Sequence, residues 1–257
     1  MQVVILAGGY GTRISEESHD KPKPMVEIGE RPILWHIMKM YSFYGFNDFI
    51  ICCGYKGHVI KEYFQNYTLN NSDFKINLKN GISNILNNPK EDWNVTFVDT
   101  GLDSMTGGRL KRIETYLEGE DFHMTYGDGV SDVDLSELVT LYRKNKVKAL
   151  VTAVRPPGRF GALKINDKKL VESFNEKPIG DGGRINGGFF VLNKSVLKLI
   201  DSDSTIWEQE PLTQLASDGE LSAYFHDGFW HPMDSLRDKN HLNKLWATNK
   251  APWKTWG

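Results

Sequence analysis

A glycine-rich segment follows the first apolar run of the chain and ends in an arginine. It reads Leu6-Ala7-Gly8-Gly9-Tyr10-Gly11-Thr12-Arg13. Glycines let the backbone pass close to a ligand and point successive N–H groups at phosphate oxygens. Arg13 adds a planar cation that can hold an anion through two hydrogen bonds. The segment therefore predicts a binding site for phosphate groups, such as those of a triphosphate tail.

The glycine segment departs from the two common nucleotide-binding patterns. The dinucleotide pattern needs a third glycine where this chain has Ile14, and an acid near the end of the second strand, where this chain has Cys52-Cys53-Gly54. The Walker pattern fails because no Gly-Lys-Ser or Gly-Lys-Thr occurs. An NAD-dependent oxidoreductase is therefore an alternative that the pattern disfavours.

A lysine in a proline-rich segment is the second candidate for chemistry. In Lys21-Pro22-Lys23-Pro24-Met25 the prolines keep the backbone extended, and this fixes the direction in which Lys23 points. A lysine held near a phosphate-binding loop can neutralise the charge that builds up on a transferring phosphoryl group. Lys23 is therefore a candidate catalytic residue.

Two aspartates are candidate metal ligands. Asp128 lies in Tyr126-Gly127-Asp128-Gly129, directly after an apolar run, and Asp234 ends Trp230-His231-Pro232-Met233-Asp234. Magnesium takes one or two carboxylates together with phosphate oxygens and waters. These aspartates therefore predict a Mg2+ site. The nearby His226 and His231 have aromatic and proline neighbours, which favours packed or hydrogen-bonded histidines over metal ligands.

Together these segments resemble the sugar-1-phosphate nucleotidyltransferase family. Leu6–Arg13 with Pro22-Lys23 is similar to the family's signature, Asp128 and Asp234 match its metal-binding aspartates, and Phe174-Asn175-Glu176-Lys177-Pro178 is similar to its sugar-phosphate motif. The branch that transfers a cytidylyl group to glucose 1-phosphate is resembled at Lys21–Gly29, Ser104–Lys111, Pro156–Gly161, Ile185–Phe190, Trp207–Pro211 and Pro232–Asp238. Many relatives follow the second aspartate with a small residue and glycine. Here Ser235-Leu236 follows, as in that branch.

The resemblance implies a fold, a reaction and a set of site residues. The fold is α/β, a three-layer Rossmann-like nucleotidyltransferase fold with a mostly parallel mixed sheet. The reaction converts CTP and glucose 1-phosphate to CDP-glucose and pyrophosphate with Mg2+, for deoxysugar and surface polysaccharide supply. The implied residues are Arg13 and Lys23 for catalysis; Leu6, Ala7, Gly8, Gly9, Tyr10, Gly11, Thr12, Arg13, Lys23, Ser104, Arg109 and Gly127 for the nucleotide; Gly161, Glu176, Lys177, Asn186 and Gly187 for the sugar phosphate; and Asp128 and Asp234 for the metal.

The choice of nucleotide stays open at this point. Cytosine offers an amino donor where uracil has an acceptor. Selection therefore needs an acceptor, most simply a backbone carbonyl, which residue types do not identify. The same reaction with UTP or dTTP remains an alternative, as does a catalytically inactive sensor of sugar nucleotides. Intact Arg13, Lys23, Asp128 and Asp234 argue against the sensor.

The elements that must position these residues alternate between strands and helices over residues 1–155. Continuous apolar strands interleaved with helices predict a mostly parallel sheet covered on both faces, with ligands at the carboxyl ends of the strands. Strands are predicted at Val3–Ala7, Phe49–Cys53, Val95–Val98, Phe122–Tyr126, Ala149–Val154, Ala162–Ile165, Leu170–Phe174, Phe189–Leu192 and Leu221–Phe225. Helices are predicted from Pro32 to Gly45, at His58–Tyr67, Leu110–Leu117, Asp134–Lys144, Ser195–Ile200, Glu210–Ser217 and Ser235–Trp246.

The whole chain is expected to form one domain over residues 1–257. Residues 1–155 would be the nucleotide-binding half, and residues 156–257 the sugar-phosphate half with a tail for oligomerisation. Residues 66–94, rich in asparagine, predict a long loop or extended arm that packs on a neighbouring subunit of a homo-oligomer, near the nucleotide cleft. The tail with Trp253 and Trp256 is expected to dock on its own chain or a second copy.

Composition limits the remaining function classes. The chain has 257 residues, 40% hydrophobic and 25% charged, with a formal charge of -2, which is ordinary globular usage. A charge near zero gives no basic field for nucleic acid, and no apolar run reaches the length of a membrane span. The first residues lack the basic region of a signal peptide. Adjacent Cys52 and Cys53 predict inert thiols in a cytoplasmic protein.

Overall fold

The computed structural model describes residues 1–14, 20–156, 162–165, 169–175 and 183–256, with the backbone alone described at residues 13, 162–165 and 174–175. The strands are β1 (Val3–Leu6), β2 (Glu27–Ile28), β3 (Arg31–Pro32), β4 (Asp48–Cys53), β5 (Phe74–Asn77), β6 (Ile82–Ile85), β7 (Asn94–Asp99), β8 (Asp121–Tyr126), β9 (Gly129–Ser131), β10 (Ala149–Val154), β11 (Ala162–Ile165), β12 (Val171–Asn175), β13 (Ile185–Asn193), β14 (Leu221–His226) and β15 (Trp230–Pro232).

The α-helices of these ranges are α1 (Ile33–Phe43), α2 (Gly57–Gln65), α3 (Tyr67–Asn70), α4 (Thr106–Arg112), α5 (Leu135–Asn145), α6 (Glu210–Ser217) and α7 (Leu236–Ala247). Short 3-10 helices span Thr12–Ile14, Lys23–Met25, Glu114–Tyr116 and Lys194–Leu199. No helix in the described part of the chain is long and apolar enough to span a membrane.

A seven-stranded sheet in the order β14-β10-β13-β8-β1-β4-β7 forms the centre of the molecule. Strands β8, β1, β4 and β7 pair in parallel, β10 pairs in parallel with β14, and β13 runs antiparallel to both of its neighbours. The carboxyl ends of β1, β4 and β8 therefore open on the same edge, because parallel strands end together. The glycine segment leaves the sheet from this edge.

Two hydrophobic cores cover the faces of the sheet. Side chains alternate between faces along a strand, so Val3 and Ile5 of β1 enter one core while Val4 and Leu6 enter the other. Helices α1, α5 and α7 contribute Ile37, Leu138 and Leu242 to the first core, and α4 and α6 contribute Leu110 and Leu215 to the second. The predicted three-layer α/β fold with a mostly parallel sheet is confirmed.

Several predicted boundaries need correction. The helix predicted at Leu110–Leu117 is α4 followed by a separate 3-10 helix, and the helix predicted at His58–Tyr67 divides into α2 and α3. The segment at Ser195–Ile200 is a 3-10 helix. Residues 66–94, predicted as a long loop or an extended arm, contain α3 and a β-hairpin, β5–β6, so the prediction of a long loop is wrong. The sequence signal for that hairpin is the alternation of Phe74 and Ile76 with polar residues in β5, followed by Ile82 and Ile85 in β6.

The tryptophan tail docks on its own chain. Trp253 is fully buried in the first core, and Trp256 packs partly buried against the same core. The indole N–H of Trp253 donates to Nδ1 of the buried His36. One of the two predicted alternatives for the tail, intrachain docking, is therefore confirmed.

Candidate active site

A cavity of about 510 Å3 opens at the carboxyl edge of β1 and β8. The described residues predicted to bind the nucleotide line it together with both aspartates: Leu6, Ala7, Gly8, Gly9, Tyr10, Gly11, Thr12, Lys23, Ser104, Arg109, Gly127, Asp128 and Asp234. The side chain of Arg13 lies outside the described atoms, although its backbone belongs to the 3-10 helix Thr12–Ile14 and directly follows the lining residue Thr12. The structure thus brings together segments that are remote in sequence.

The glycine segment is anchored by the neighbouring strand. Ala7 N donates to the Cys52 carbonyl, and the Gly8 carbonyl accepts from Tyr55 N, both at 3.1 Å. On the other side, Gly127 N donates to the Leu6 carbonyl at 3.0 Å. These bonds hold the segment between the ends of β4 and β8, with its following backbone along the cavity.

Arg109 braces this segment from behind. Its guanidinium is buried and donates to the Gly8 carbonyl at 3.0 Å, the Thr100 hydroxyl at 2.8 Å and the Gly101 carbonyl at 2.7 Å. A Cβ at Gly8 would overlap the guanidinium, so glycine is needed there for close approach. The predicted role of Arg109 in nucleotide binding stays a prediction, and the structure adds that Arg109 holds the glycine segment in place.

Lys23 joins the two candidate metal ligands. Its Nζ lies 2.7 Å from Asp128 Oδ2 and 2.7 Å from Asp234 Oδ1. The side chain is positioned by Pro22, which is extended, and by the 3-10 helix that Pro24 helps to start. Burial lowers the pKa of Lys23, but the two carboxylates raise it more, so the net pKa lies above its ordinary value. The ammonium therefore stays charged at neutral pH.

A small antiparallel ladder brings the aspartates together. Asp128 directly precedes β9 and Asp234 follows β15, and these strands pair with Gly129 opposite Pro232. Met233 N donates to the Asp128 carbonyl at 2.8 Å. The backbone N–H of Asp234 and the Ser235 hydroxyl both donate to Asp238, at the start of α7. The backbone therefore determines the position of both carboxylates.

The donor set fits a hard divalent cation. Within the described part of the chain, no group of three or more His, Cys, Asp or Glu side chains is arranged to hold a metal ion. Two carboxylates suffice for a magnesium ion that also takes phosphate oxygens and waters. Asp128 and Asp234 face the same cavity as the glycine segment, so they fit this arrangement.

A second cavity of about 310 Å3 adjoins the first. Tyr126, Asp128 and Asp234 line both cavities. Asn186 and Gly187, predicted to bind the sugar phosphate, line the second, where the Trp230 indole donates to the Gly187 carbonyl at 2.7 Å. The other predicted sugar-phosphate residues, Gly161, Glu176 and Lys177, lie outside the described residues.

Sequence reasoning missed several lining residues. Tyr126, Thr106 and Asp103 carry polar groups at the first cavity, and no motif singled them out as binding residues. The Tyr10 hydroxyl donates to Asp103 Oδ1 at 2.7 Å, which links the glycine segment to the opposite wall and raises the pKa of Tyr10. Tyr126 and Thr106 were named only as members of longer segments, such as Tyr126 before Gly127-Asp128, and Asp103 lies just before the Ser104–Lys111 segment.

The two histidines near Asp234 are hydrogen bonded, as predicted. His226 Nε2 lies 2.9 Å from Asp132 Oδ1, and His231 Nε2 lies 3.2 Å from Asp238 Oδ1. Burial lowers the pKa of His226, but Asp132, the Phe229 carbonyl and Asp227 together raise it more, and the net shift is upward. Both rings therefore hold β9, β14 and α7 together around the site.

Comparison with known proteins defines the class. A sequence model described as nucleotidyl transferase matches residues 2–231. The chain belongs to the nucleotidyl transferase family, and it is an enzyme of that class. Enzymes of this family generally use a divalent metal. The resemblance in the motifs is thereby confirmed, and membership excludes the oxidoreductase alternative.

Relatives narrow the class further. The chain is 60% identical over 257 residues, covering both proteins completely, to the glucose-1-phosphate cytidylyltransferase of Salmonella typhimurium. It is 30% identical to a mannose-1-phosphate guanyltransferase of Aspergillus fumigatus, over 98% of this chain and 65% of that protein. The solved structure of HddC from Yersinia pseudotuberculosis shares the fold, with a TM-score of 0.69 and 24% identity over 95% of this chain and 99% of that one.

Proposed function

We propose that this enzyme transfers the cytidylyl group of CTP to glucose 1-phosphate and releases pyrophosphate, forming CDP-glucose. One structural observation supports a transfer between two phosphate-containing substrates: Lys23, Asp128 and Asp234 meet where the two cavities join. Charged groups at that junction face the place where one substrate's phosphate must approach the other's. The full-length relative supports the choice of CTP and glucose 1-phosphate.

The reaction needs no covalent enzyme intermediate. A phosphate oxygen of glucose 1-phosphate is already an anion, so it attacks the α-phosphorus of CTP in line. The bond from the α-phosphorus to the bridging oxygen breaks, and pyrophosphate leaves with the electron pair. The protein's contribution is therefore positioning and charge neutralisation.

The scheme assigns roles to the main predicted residues. Backbone N–H groups of the glycine segment face the triphosphate, and Arg13 holds the departing pyrophosphate. Lys23 neutralises charge on the transferring group, and Lys177 holds the attacking phosphate. Asp128 and Asp234 hold Mg2+, which when bound supplies positive charge to phosphate oxygens. Asn186 and Gly187 contact sugar hydroxyls in the second cavity.

The assembly and the compartment are part of the same proposal. The exposed β5–β6 hairpin supports a homo-oligomer, because its apolar side chains lie in solvent in the single chain. The two cysteines are free and buried, and burial raises the pKa of Cys53 to about 11. Unreactive thiols of this kind are compatible with the cytoplasm.

The test is a substrate matrix. Pyrophosphate release is measured with each of four nucleoside triphosphates against a panel of hexose 1-phosphates, with Mg2+ present. We expect CTP with glucose 1-phosphate to give the highest kcat/KM and CDP-glucose as product. A preference for UTP or dTTP would replace the nucleotide in this proposal, and binding of sugar nucleotides without turnover would establish the sensor instead.

A further inference from the structure

One carboxylate outside both cavities connects their walls. Glu208 accepts the phenol hydrogen of Tyr126 on Oε1 and the hydroxyl hydrogen of Thr106 on Oε2, the latter at 2.6 Å. Tyr126 lines both cavities and Thr106 lines the nucleotide cavity, while Glu208 lines neither. Glu208 is therefore placed to act through these hydroxyls rather than on a substrate.

Each of the two hydroxyls also accepts a hydrogen bond, so both arms of the network donate toward Glu208. Asn186 Nδ2 donates to the Tyr126 hydroxyl at 3.3 Å, and Trp207 N donates to the Thr106 hydroxyl at 2.9 Å. Each hydroxyl thus accepts from one neighbour and donates to the carboxylate. Such an arrangement suits an ionised carboxylate, which only accepts. This series of hydrogen bonds links Asn186 in the second cavity to the start of α4 beside the first cavity.

The segment that carries Glu208 also supports the nucleotide wall directly. Met105 N donates to the Asp203 carbonyl at 2.8 Å, and Gly107 N to the Thr205 carbonyl at 3.0 Å. A Cβ at Gly108 would overlap the Asp203 backbone, so the two segments pack as closely as their backbones allow. Any shift of this segment therefore moves the start of α4 and the nucleotide wall with it.

We propose that Glu208 is a positioning residue that couples sugar-phosphate binding in the second cavity to nucleotide binding in the first. It does so through Tyr126 and Asn186 on one side and Thr106 on the other. A ligand that fixes Asn186 also fixes the Tyr126 phenol, and the shared carboxylate then holds Thr106 and the wall that follows it. The inference rests on the proposed function, because it assigns the two cavities to two substrates.

The coupling is measurable as a ratio of affinities. Calorimetric titration gives the Kd of the α,β-methylene analogue of CTP with and without saturating glucose 1-phosphate, and this analogue cannot release pyrophosphate. We expect the wild type to bind the analogue about fivefold or more tightly when the sugar phosphate is present. In Glu208→Gln the ratio should fall below about twofold, because the amide offers N–H to one hydroxyl and disrupts that arm.

A matched control and a double-mutant cycle separate coupling from simple damage to the fold. Glu210→Gln makes the same chemical change at an exposed residue of the same segment and should keep the wild-type ratio. Tyr126→Phe and Thr106→Val each cut one arm while preserving side-chain volume. Since both cut one connected chain, each should lower the ratio as Glu208→Gln does, and the double variant should lower it no further.

The outcomes decide between distinct failures. The inference is overturned if the affinity ratio of the wild type is one, or if Glu208→Gln leaves the ratio unchanged. It is also overturned if the effects of Tyr126→Phe and Thr106→Val on the ratio are additive. Failure of the wild type to form CDP-glucose would instead overturn the proposed function. In that case the substrate matrix identifies the nucleotide that the enzyme does use. The calorimetric titration is then repeated with the α,β-methylene analogue of that nucleotide, and the ratio of affinities still decides whether Glu208 couples the cavities.

Discussion

Lys23 carries its charge at the junction of two cavities, with a carboxylate on either side. In Lys23→Ala, kcat should fall by about 10²–10³ with a smaller change in KM for CTP, because a contact made to charge developing in the transition state is lost. Lys21→Ala is the matched control, since Lys21 belongs to the same proline-rich motif but pairs with Glu27 outside the cavity. Steady-state kinetics that show only a rise in KM would assign Lys23 to ground-state binding.

Asp128 and Asp234 are held by the β9–β15 ladder, so their side chains can change without removing the backbone that positions them. Asp128→Asn and Asp234→Asn should each fold normally and lose Mg2+-dependent turnover, because an amide preserves shape and removes the charge that a hard cation needs. Turnover is followed over a magnesium titration, with Asp201→Asn at an exposed position outside both cavities as control. Wild-type activity in either variant would remove that residue from the metal site.

At the scale of elements, the glycine segment packs closely against the buried guanidinium of Arg109. Gly8→Ala should lower the free energy of unfolding by about 1–3 kcal/mol, because the added methyl group overlaps a buried guanidinium. Gly9→Ala adds the same methyl group one residue later, where nothing lies within 4 Å, and should leave stability unchanged. Chemical denaturation of the two variants measures the difference. Equal stabilities would show that Arg109 moves aside without loss.

Sequence patterns predicted the positions of helices with one buried face and of strands that are buried on both faces. Helix α6 has the predicted bounds, and β8 begins one residue before its prediction, because turn residues and apolar runs mark their ends. Strand β13 begins at Ile185, earlier than predicted, since Asn186-Gly187-Gly188 has the composition of a loop and is held in the sheet by pairing with β10. Local composition does not encode such pairing.

Residue types and motifs predicted which side chains belong to the site, but they did not predict the contacts among those side chains. Lys23, Asp128 and Asp234 were each candidates, and the structure adds that one ammonium bridges both carboxylates. Glu208 was named only as part of the Trp207–Pro211 segment and was not predicted as a site residue, because its contacts are with hydroxyls on Tyr126 and Thr106 that only the fold brings near. Hydrogen bonds between residues remote in sequence depend on tertiary packing, so the spacing of residues along the sequence does not predict them.

At the scale of the whole molecule, the docked tail makes stability depend on pH through His36. Burial lowers the pKa of His36 to about 4, and its Nε2 donates to the Ile28 carbonyl while Nδ1 accepts from Trp253. In an unfolded chain the pKa is about 6.5. Between these values the unfolded chain binds a proton that the folded chain does not. The free energy of unfolding therefore falls as pH falls, by about 3 kcal/mol at pH 4.

His36→Gln tests this linkage by denaturation at several pH values between 7 and 4.5. The variant should be less stable than the wild type at pH 7 and should lose less stability on acidification, because one titrating group is gone. The buried His123, with a pKa lowered by burial to about 3, titrates in both proteins. His58→Gln makes the same change at an exposed histidine and is the matched control. An unaltered slope in His36→Gln would contradict the assignment.

The β5–β6 hairpin is the part of the molecule that a second copy best explains. Phe74 pairs with Ile85 and Ile76 with Ser83, so three apolar side chains share one face, and they are 42%, 38% and 46% exposed for Phe74, Ile85 and Ile76. Contiguous exposed apolar side chains mark interaction surfaces. Phe74→Ser with Ile76→Ser should therefore lower the mass of the assembly and, if the hairpin reaches a neighbour's nucleotide cleft, the activity as well.

Lys75→Ser with Asn77→Ser changes the opposite face of the same strand and is the matched control. Light scattering coupled to size-exclusion chromatography over a range of protein concentrations gives the mass, because a weakened interface dissociates on dilution. We expect the wild type and the control to remain oligomers where the apolar-face variant dissociates. A variant of wild-type mass would leave the hairpin as a projection without a role in assembly, and a monomeric wild type would refute the homo-oligomer itself.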